Sequence, residues 1–166
     1  MMRIAVAGAV VWLGLLGLVS AARADEEKVP LKDVPRAVLD AVKAKFPGAE
    51  LTGAAKETED GKTTYEVALK EKGRNVDVAL TAEGKIVEIE REVAAGDLPK
   101  AVAAAIEAKY PKATVKKAEE IVEFDGGKES RSYEVILAAA KKTLEVKLSP
   151  EGKILKEEED DEVEGD

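Results

Sequence analysis

The chain has 166 residues, of which 45% are hydrophobic and 36% charged, and its formal net charge is −8. Such an acidic chain repels the phosphates of nucleic acids and anionic lipids, so we expect no nucleic-acid partner. It has no histidine and no cysteine. The absence of these residue types excludes an imidazole base and a thiolate nucleophile, and it disfavours zinc and copper sites. We therefore predict a protein that is not an enzyme and that has no cofactor.

Residues 1–24 have the pattern of a secretory signal peptide. Arg3 precedes an uncharged, mostly apolar run over residues 4–19, and Ala22-Arg23-Ala24 has the small-residue pattern of a cleavage site. The alternative, a transmembrane anchor, would need about 20 apolar residues. Cleavage before Asp25 predicts a periplasmic or secreted bacterial protein without a stable membrane anchor. Loss of the two arginines changes the formal charge from −8 to −10.

The first half reads as one helix followed by strands. Asp33 is a plausible N-cap, apolar residues recur every fourth position from Val34 to Phe46, and Pro47-Gly48 ends the helix. The period then changes to two, which predicts strands near 50–58, 65–70, 76–80 and 86–92. Gly-containing turn signals separate these runs.

The second half has the same order of elements. Asp97 and Pro99 open a helix that Pro111 ends, and strands are predicted near 114–124, 133–138, 144–148 and 154–158. Four extra residues lengthen the first hairpin around 124–131. Residues 157–166 include eight acidic residues in ten, so we expect a disordered acidic tail over 159–166.

Local motifs show that the second half repeats the first. Asp33-Val34-Pro35 and Lys45-Phe46-Pro47 return 64 residues later, whereas Tyr65-Glu66-Val67 and Glu83-Gly84-Lys85-Ile86 return 68 residues later. The sequence thus predicts an α+β protein of two tandem repeats, over 25–93 and 94–158. Each repeat is expected to be one helix packed on a four-stranded antiparallel meander sheet. Whether the two sheets are continuous stays open.

These ordered motifs resemble those of tandem PepSY-like domains, the group likened to the β-lactamase-inhibitor protein. The resemblance covers about residues 31–158. It implies a small exported domain without catalysis that binds another protein or restrains a peptidase. The β-lactamase inhibitor itself uses disulfides, which this chain lacks, so inhibition of a β-lactamase is not expected.

Partner binding is expected on the polar face of the sheet. The strand positions predicted to point into solvent are charged, and Phe124 is the one aromatic residue of the mature chain without a clear structural role in the repeat. The candidate partner-binding residues are Glu66, Lys70, Asp77, Phe124, Glu134, Glu145 and Lys147. Such a surface suits a basic or polar protein or peptide, although an ordinary solvated face is an equal alternative. A second hypothesis is an acidic protein that binds or senses cations or small ligands, including weak Ca²⁺ association with the tail. Because the acidic residues were expected on solvent faces, no carboxylate with a perturbed pKa was expected.

Overall fold

The computed structural model describes residues 27–59, 61–139 and 142–161. In this part of the chain, nine strands form one antiparallel sheet in chain order, and two α-helices accompany it. The α+β class predicted from the sequence is confirmed. The predicted signal peptide lies outside the described residues. The elements are β1 (Glu27–Lys28), α1 (Arg36–Lys45), β2 (Glu50–Glu59), β3 (Lys62–Glu71), β4 (Arg74–Thr81), β5 (Ile86–Glu92), α2 (Lys100–Lys109), β6 (Thr114–Asp125), β7 (Lys128–Ala139), β8 (Lys142–Leu148) and β9 (Ile154–Asp161).

The two halves of the chain share a single sheet. Strand β5 of the first half pairs with β6 of the second, from Glu88 opposite Glu123 to Glu92 opposite Glu119. Strands β4 to β7 therefore have several strands on either side of them. This pairing joins residues far apart in sequence and makes their side chains central rather than peripheral.

The two halves also repeat the same local irregularities. The register shifts between Leu51 and Gly53 on β2, and again between Val115 and Lys117 on β6, 64 residues on. Strands β6 and β7 have 12 residues each, whereas β2 and β3 have 10 each, so two extra residues per strand account for the four-residue insertion.

Both helices pack their apolar stripes against one face of the sheet. Val38 and Val42 of α1 are fully buried against a cluster that includes Val67 and Val78. Val102 of α2 is equally buried, and it packs with residues such as Val135 and Val146. Each such side chain contributes about 1.5–3 kcal/mol of burial free energy. Within the described residues, neither helix is long and apolar enough to cross a membrane.

The predicted N-cap was wrong. Asp33 lies in a single 3₁₀ turn, Leu31–Asp33, and the N-cap position of α1 is Pro35, with no side-chain cap hydrogen bond. The second helix repeats this arrangement, with Asp97 in a 3₁₀ turn and Pro99 as the N-cap. Here the aspartates are used in ion pairs instead: Asp97 accepts a hydrogen bond from Arg74 at 3.0 Å.

The Glu-Gly-Lys-Ile motif holds the turn between β4 and β5 close to α1. Gly84 has a φ of +83°, and a Cβ atom at this position would lie 2.4 Å from the carbonyl oxygen of Ala37 in α1. Gly152 has the same φ and the same 2.4 Å approach to Ala101 of α2. Glycine is required at both turns because any side chain would meet helix backbone.

Strand β9 extends beyond the strand end predicted at residue 158 and includes residues 159–161 of the expected tail. The extension is physically reasonable because β9 pairs with β8, whose Lys142 forms an ion pair with Glu159. A basic neighbour reduces the repulsion among the acidic residues of β9. Residues 162–166 lie outside the described part of the chain.

Candidate functional site

The sheet has one face packed under the helices and a second face that we call the helix-free face. Cross-strand partners share a face, so the register assigns residues to it strand by strand. Ala68 lies opposite Asp77, Asp77 opposite Glu90, and Glu134 opposite Lys147. Six of the seven residues predicted to contact a partner lie on this face: Glu66, Lys70, Asp77, Glu134, Glu145 and Lys147.

The seventh predicted residue, Phe124, lies on the other face of the sheet. It is half-buried and packs against the hydrophobic cluster of the first half, although it belongs to strand β6 of the second half. The structure therefore does not bring Phe124 together with the other six residues. Its contacts are those of a side chain that helps to join the two halves.

The helix-free face is not uniformly exposed, which corrects the expectation of a wet face. Lys70 is exposed, but Glu66, Asp77, Glu145 and Lys147 are half-buried, and Glu134 is buried with 7% of its surface accessible. The reason is the position of each residue in the sheet. Lys70 lies near the end of β3, whereas Glu134 lies on a central strand and is covered by side chains from both neighbouring strands.

Sequence reasoning missed three buried carboxylates at the centre of this face. Glu88 and Glu90 of β5 are 6% exposed, and Glu119 of β6 is 4% exposed. Alternation placed them opposite the apolar positions of their strands, but only the β5–β6 pairing makes them central. Together with Asp77 and Glu134 they form a group that we call the acidic band: Asp77, Glu88, Glu90, Glu119 and Glu134.

Burial perturbs the ionisation of the acidic band. Desolvation raises the pKa of Glu134 to about 8, and the nearby carboxylates of Glu145 and Glu119 raise it further against the opposing effect of Lys147 and Lys117. Desolvation also raises the pKa of Asp77 to about 6, with Glu119 adding to the effect and Lys117 opposing it. At neutral pH the band therefore holds protons that exposed carboxylates would release.

Glu88 and Glu90 are two residues apart on β5, and their carboxyl groups share a hydrogen bond. Burial raises the pKa of both residues, and the charge of Glu88 raises that of Glu90. One oxygen of Glu88, Oε1, is buried and has no hydrogen-bond partner among the described residues. A buried polar atom without a partner costs about 1–3 kcal/mol.

Lysines neutralise the band only in part. The ammonium group of Lys117 lies 2.8 Å from Oε1 of Glu119, and that of Lys147 lies 3.0 Å from Oε1 of Glu123. Both ammonium groups also act on Glu134 at longer range. Since most of the band's carboxylates are not in contact with either lysine, a positively charged ligand would be attracted to this face.

Three carboxylates of the band converge most closely. One oxygen each from Asp77, Glu90 and Glu119 lies within 4.8 Å of the other two. The three residues come from the neighbouring strands β4, β5 and β6, so a rigid sheet fixes their spacing. Such a set of oxygen atoms can accept hydrogen bonds from an ammonium or guanidinium group, or can coordinate a hard cation.

The geometry defines a class of protein: an antiparallel sheet backed by two helices, with charged residues recessed in its other face. The sequence assigns the chain within that class. Residues 21–88 and 81–156 match the model of the family described as "Putative beta-lactamase-inhibitor-like, PepSY-like". The chain belongs to this PepSY-like family and carries the domain in tandem, as the sequence motifs predicted.

Solved structures share the fold. A structure from Bacteroides eggerthii DSM 20697, described as one of its "putative periplasmic proteins", is 17% identical with a TM-score of 0.65, covering 76% of this chain and 88% of that chain. A DUF2874 family protein from Bacteroides uniformis ATCC 8492 is 19% identical with a TM-score of 0.63, covering 75% and 88%. A BLIP-like protein from Bacteroides fragilis NCTC 9343 is 24% identical with a TM-score of 0.58, covering 79% and 88%. No curated protein matches the sequence significantly.

Proposed function

We propose that this protein is a non-enzymatic binding module that recognises a positively charged protein or peptide segment on its helix-free face. The protein is periplasmic or secreted, in agreement with its signal-peptide pattern and with the periplasmic description of a relative. The observation that carries the proposal is the acidic band, whose buried carboxylates exceed the lysines in contact with them. A partner's lysine or arginine would supply the missing charge and hydrogen bonds.

We interpret the sheet as two four-stranded meanders joined edge to edge, β2–β5 and β6–β9. Strand β1 fits this division because it pairs with β2 as the end of β5 pairs with β6. The backbone N–H of Val29 donates to Ala54, and that of Val93 donates to Ala118, both at 2.9 Å. The acidic band then lies across the junction of the two units, since Asp77, Glu88 and Glu90 belong to the first and Glu119 and Glu134 to the second. The binding face would therefore require both repeats.

The partner would be an envelope protein, and restraint of a peptidase is the form of binding that the family resemblance suggests. The BLIP-like description of one relative supports an inhibitor-like role in general terms. The absence of histidine and cysteine supports a role other than catalysis.

Site-specific photocrosslinking in cells tests the proposal. A photoreactive residue at the exposed position Lys70 on the helix-free face should trap a discrete protein, whereas one at the exposed Lys43 on α1 should not. The adduct at Lys70 should diminish when Asp77 and Glu145 are replaced by Asn and Gln, and it should weaken at high ionic strength. Equal labelling from both positions, or an adduct insensitive to these replacements, would contradict the assignment of the face.

Cation binding is the second candidate function. The sequence suggested it for the acidic tail, but the convergence of Asp77, Glu90 and Glu119 supports a different location, the centre of the sheet. A search of glycosidase and esterase substrates with purified protein would address the remaining alternative, a hydrolase that uses a carboxylate pair.

A further inference from the structure

A divalent metal ion fits the spacing of the three converging carboxylates. Ca²⁺ binds oxygen atoms at about 2.3–2.6 Å, so two ligands on opposite sides of the ion are about 5 Å apart. The nearest oxygens of Asp77, Glu90 and Glu119 all lie within 4.8 Å of one another, so all three can contact one ion without movement of the backbone. Each residue comes from a different, hydrogen-bonded strand, which limits how far the ligands can spread.

An independent observation in the same place also points to a ligand. Glu88 is 94% buried, because only 6% of its surface is accessible, and its Oε1 atom has no partner among the described residues. Its carboxyl group contacts that of Glu90 through a hydrogen bond, so it adjoins the cluster directly. Desolvating a carboxylate oxygen without a partner is unfavourable, and a cation at the cluster would satisfy it.

We propose that Asp77, Glu90 and Glu119 bind a single Ca²⁺ ion at the centre of the helix-free face, with Glu88 as the fourth carboxylate. Only oxygen ligands are present, which favours a hard cation over zinc or copper. Ca²⁺ tolerates irregular coordination of six to eight oxygens, whereas Mg²⁺ requires a nearly ideal octahedron. A flat array of carboxylates that leaves one side open for water suits Ca²⁺ better. This site is independent of the proposed protein partner.

Lys117 acts as an internal competitor for this site. Its ammonium group lies 2.8 Å from Glu119 and so occupies part of the space and charge balance that an ion would take. Lys117 is half-buried and has no equally close acidic partner printed besides Glu119 in the described residues. Removal of this ammonium should therefore strengthen ion binding, whereas a purely structural role for the cluster predicts loss of stability without any gain in affinity.

Isothermal titration calorimetry of the mature chain, first freed of metal with a chelator, tests the site with CaCl₂ and MgCl₂. We expect one Ca²⁺ per chain with a Kd of about 10⁻⁴ M, in the range of extracellular calcium modules, and weaker Mg²⁺ binding. Glu90→Gln should weaken Ca²⁺ binding at least tenfold, because it removes a ligand charge. Glu107→Gln, at an exposed position on α2, is the matched control and should change nothing. Lys117→Gln should tighten binding several-fold.

Two outcomes would overturn the proposal. The first is the lack of saturable Ca²⁺ binding by the wild-type chain, and the second is binding that Glu90→Gln and Glu107→Gln affect equally, which would assign it to the acidic tail. Circular dichroism of each variant verifies folding, and Asp77→Asn provides a second ligand variant if Glu90→Gln does not fold. Because the titration uses no protein partner, its failure would leave the photocrosslinking result at Lys70 to be judged separately.

Discussion

Replacement of Gly84 by alanine should separate the conformational cost of a turn from the cost of displacing a helix. Gly73 provides the matched control, since its φ of +82° is nearly the +83° of Gly84, but a Cβ atom at Gly73 would have no other atom within 4 Å. Gly73→Ala should therefore cost only the left-handed backbone penalty of about 1–2 kcal/mol. Gly84→Ala adds a Cβ atom 2.4 Å from the carbonyl oxygen of Ala37, and forcing atoms into a packed region costs about 1–3 kcal/mol more.

Urea unfolding followed by circular dichroism measures this difference. With an m-value of about 2 kcal/mol per M, the midpoint of Gly84→Ala should lie about 0.5–1.5 M below that of Gly73→Ala. Gly152→Ala should behave like Gly84→Ala, because its approach to Ala101 is the same 2.4 Å. Equal midpoints for Gly84→Ala and Gly73→Ala would refute the idea that the motif fixes the helix on the hairpin.

Three further predictions concern stability. A carboxyl whose pKa is raised on folding stabilises the protein below its unfolded pKa and loses that contribution as pH rises through the folded value, about 8 for Glu134. Metal-free protein should thus lose stability between pH 5 and 9, and Glu134→Gln should reduce that loss by about 1–3 kcal/mol in urea titrations at both pH values; an unchanged slope would contradict the burial argument. Arg91→Gln removes a half-buried contact with Glu120 at 3.4 Å and should cost about 1–2 kcal/mol by thermal unfolding, whereas Arg36→Gln, at a side chain 93% exposed, should cost close to nothing. Tyr133→Phe removes a hydrogen bond of 3.2 Å to Glu120 and should lower the unfolding free energy by about 0.5–1.5 kcal/mol, and no change would indicate that the hydroxyl gains nothing there.

Features set by nearby residues could be predicted from the sequence. The apolar spacing from Val34 to Phe46 identified α1, and alternation identified most strands to within a few residues. The repeated Glu-Gly motif indicated equivalent turns, and the structure adds the reason that they require glycine. The helix cap could not be predicted correctly, because Asp33 has another available partner and the 3₁₀ turn precedes the helix.

The acidic band could not be predicted because it depends on distant pairing. Alternation shows which face of a strand Glu88 and Glu90 occupy, but it does not show how many strands lie on either side. The pairing of β5 with β6 places Glu119 beside Glu92 and turns apparently solvated charges into buried ones. The same pairing brings Phe124 into contact with the core of the first half. Burial in a sheet is a property of strand order, which local periodicity does not contain.

The way in which β5 joins β6 has a consequence for assembly. The contact is head to tail, since the last strand of one half pairs with the first strand after the helix of the next. Strand β9 holds the same place in the second half that β5 holds in the first, so its outer edge could in geometric terms add another unit or a second molecule. Strand β9 is rich in acidic residues, including Glu157, Glu158 and Glu159. Like-charge repulsion along that border, rather than any lack of backbone donors and acceptors, discourages growth of the sheet into a polymer.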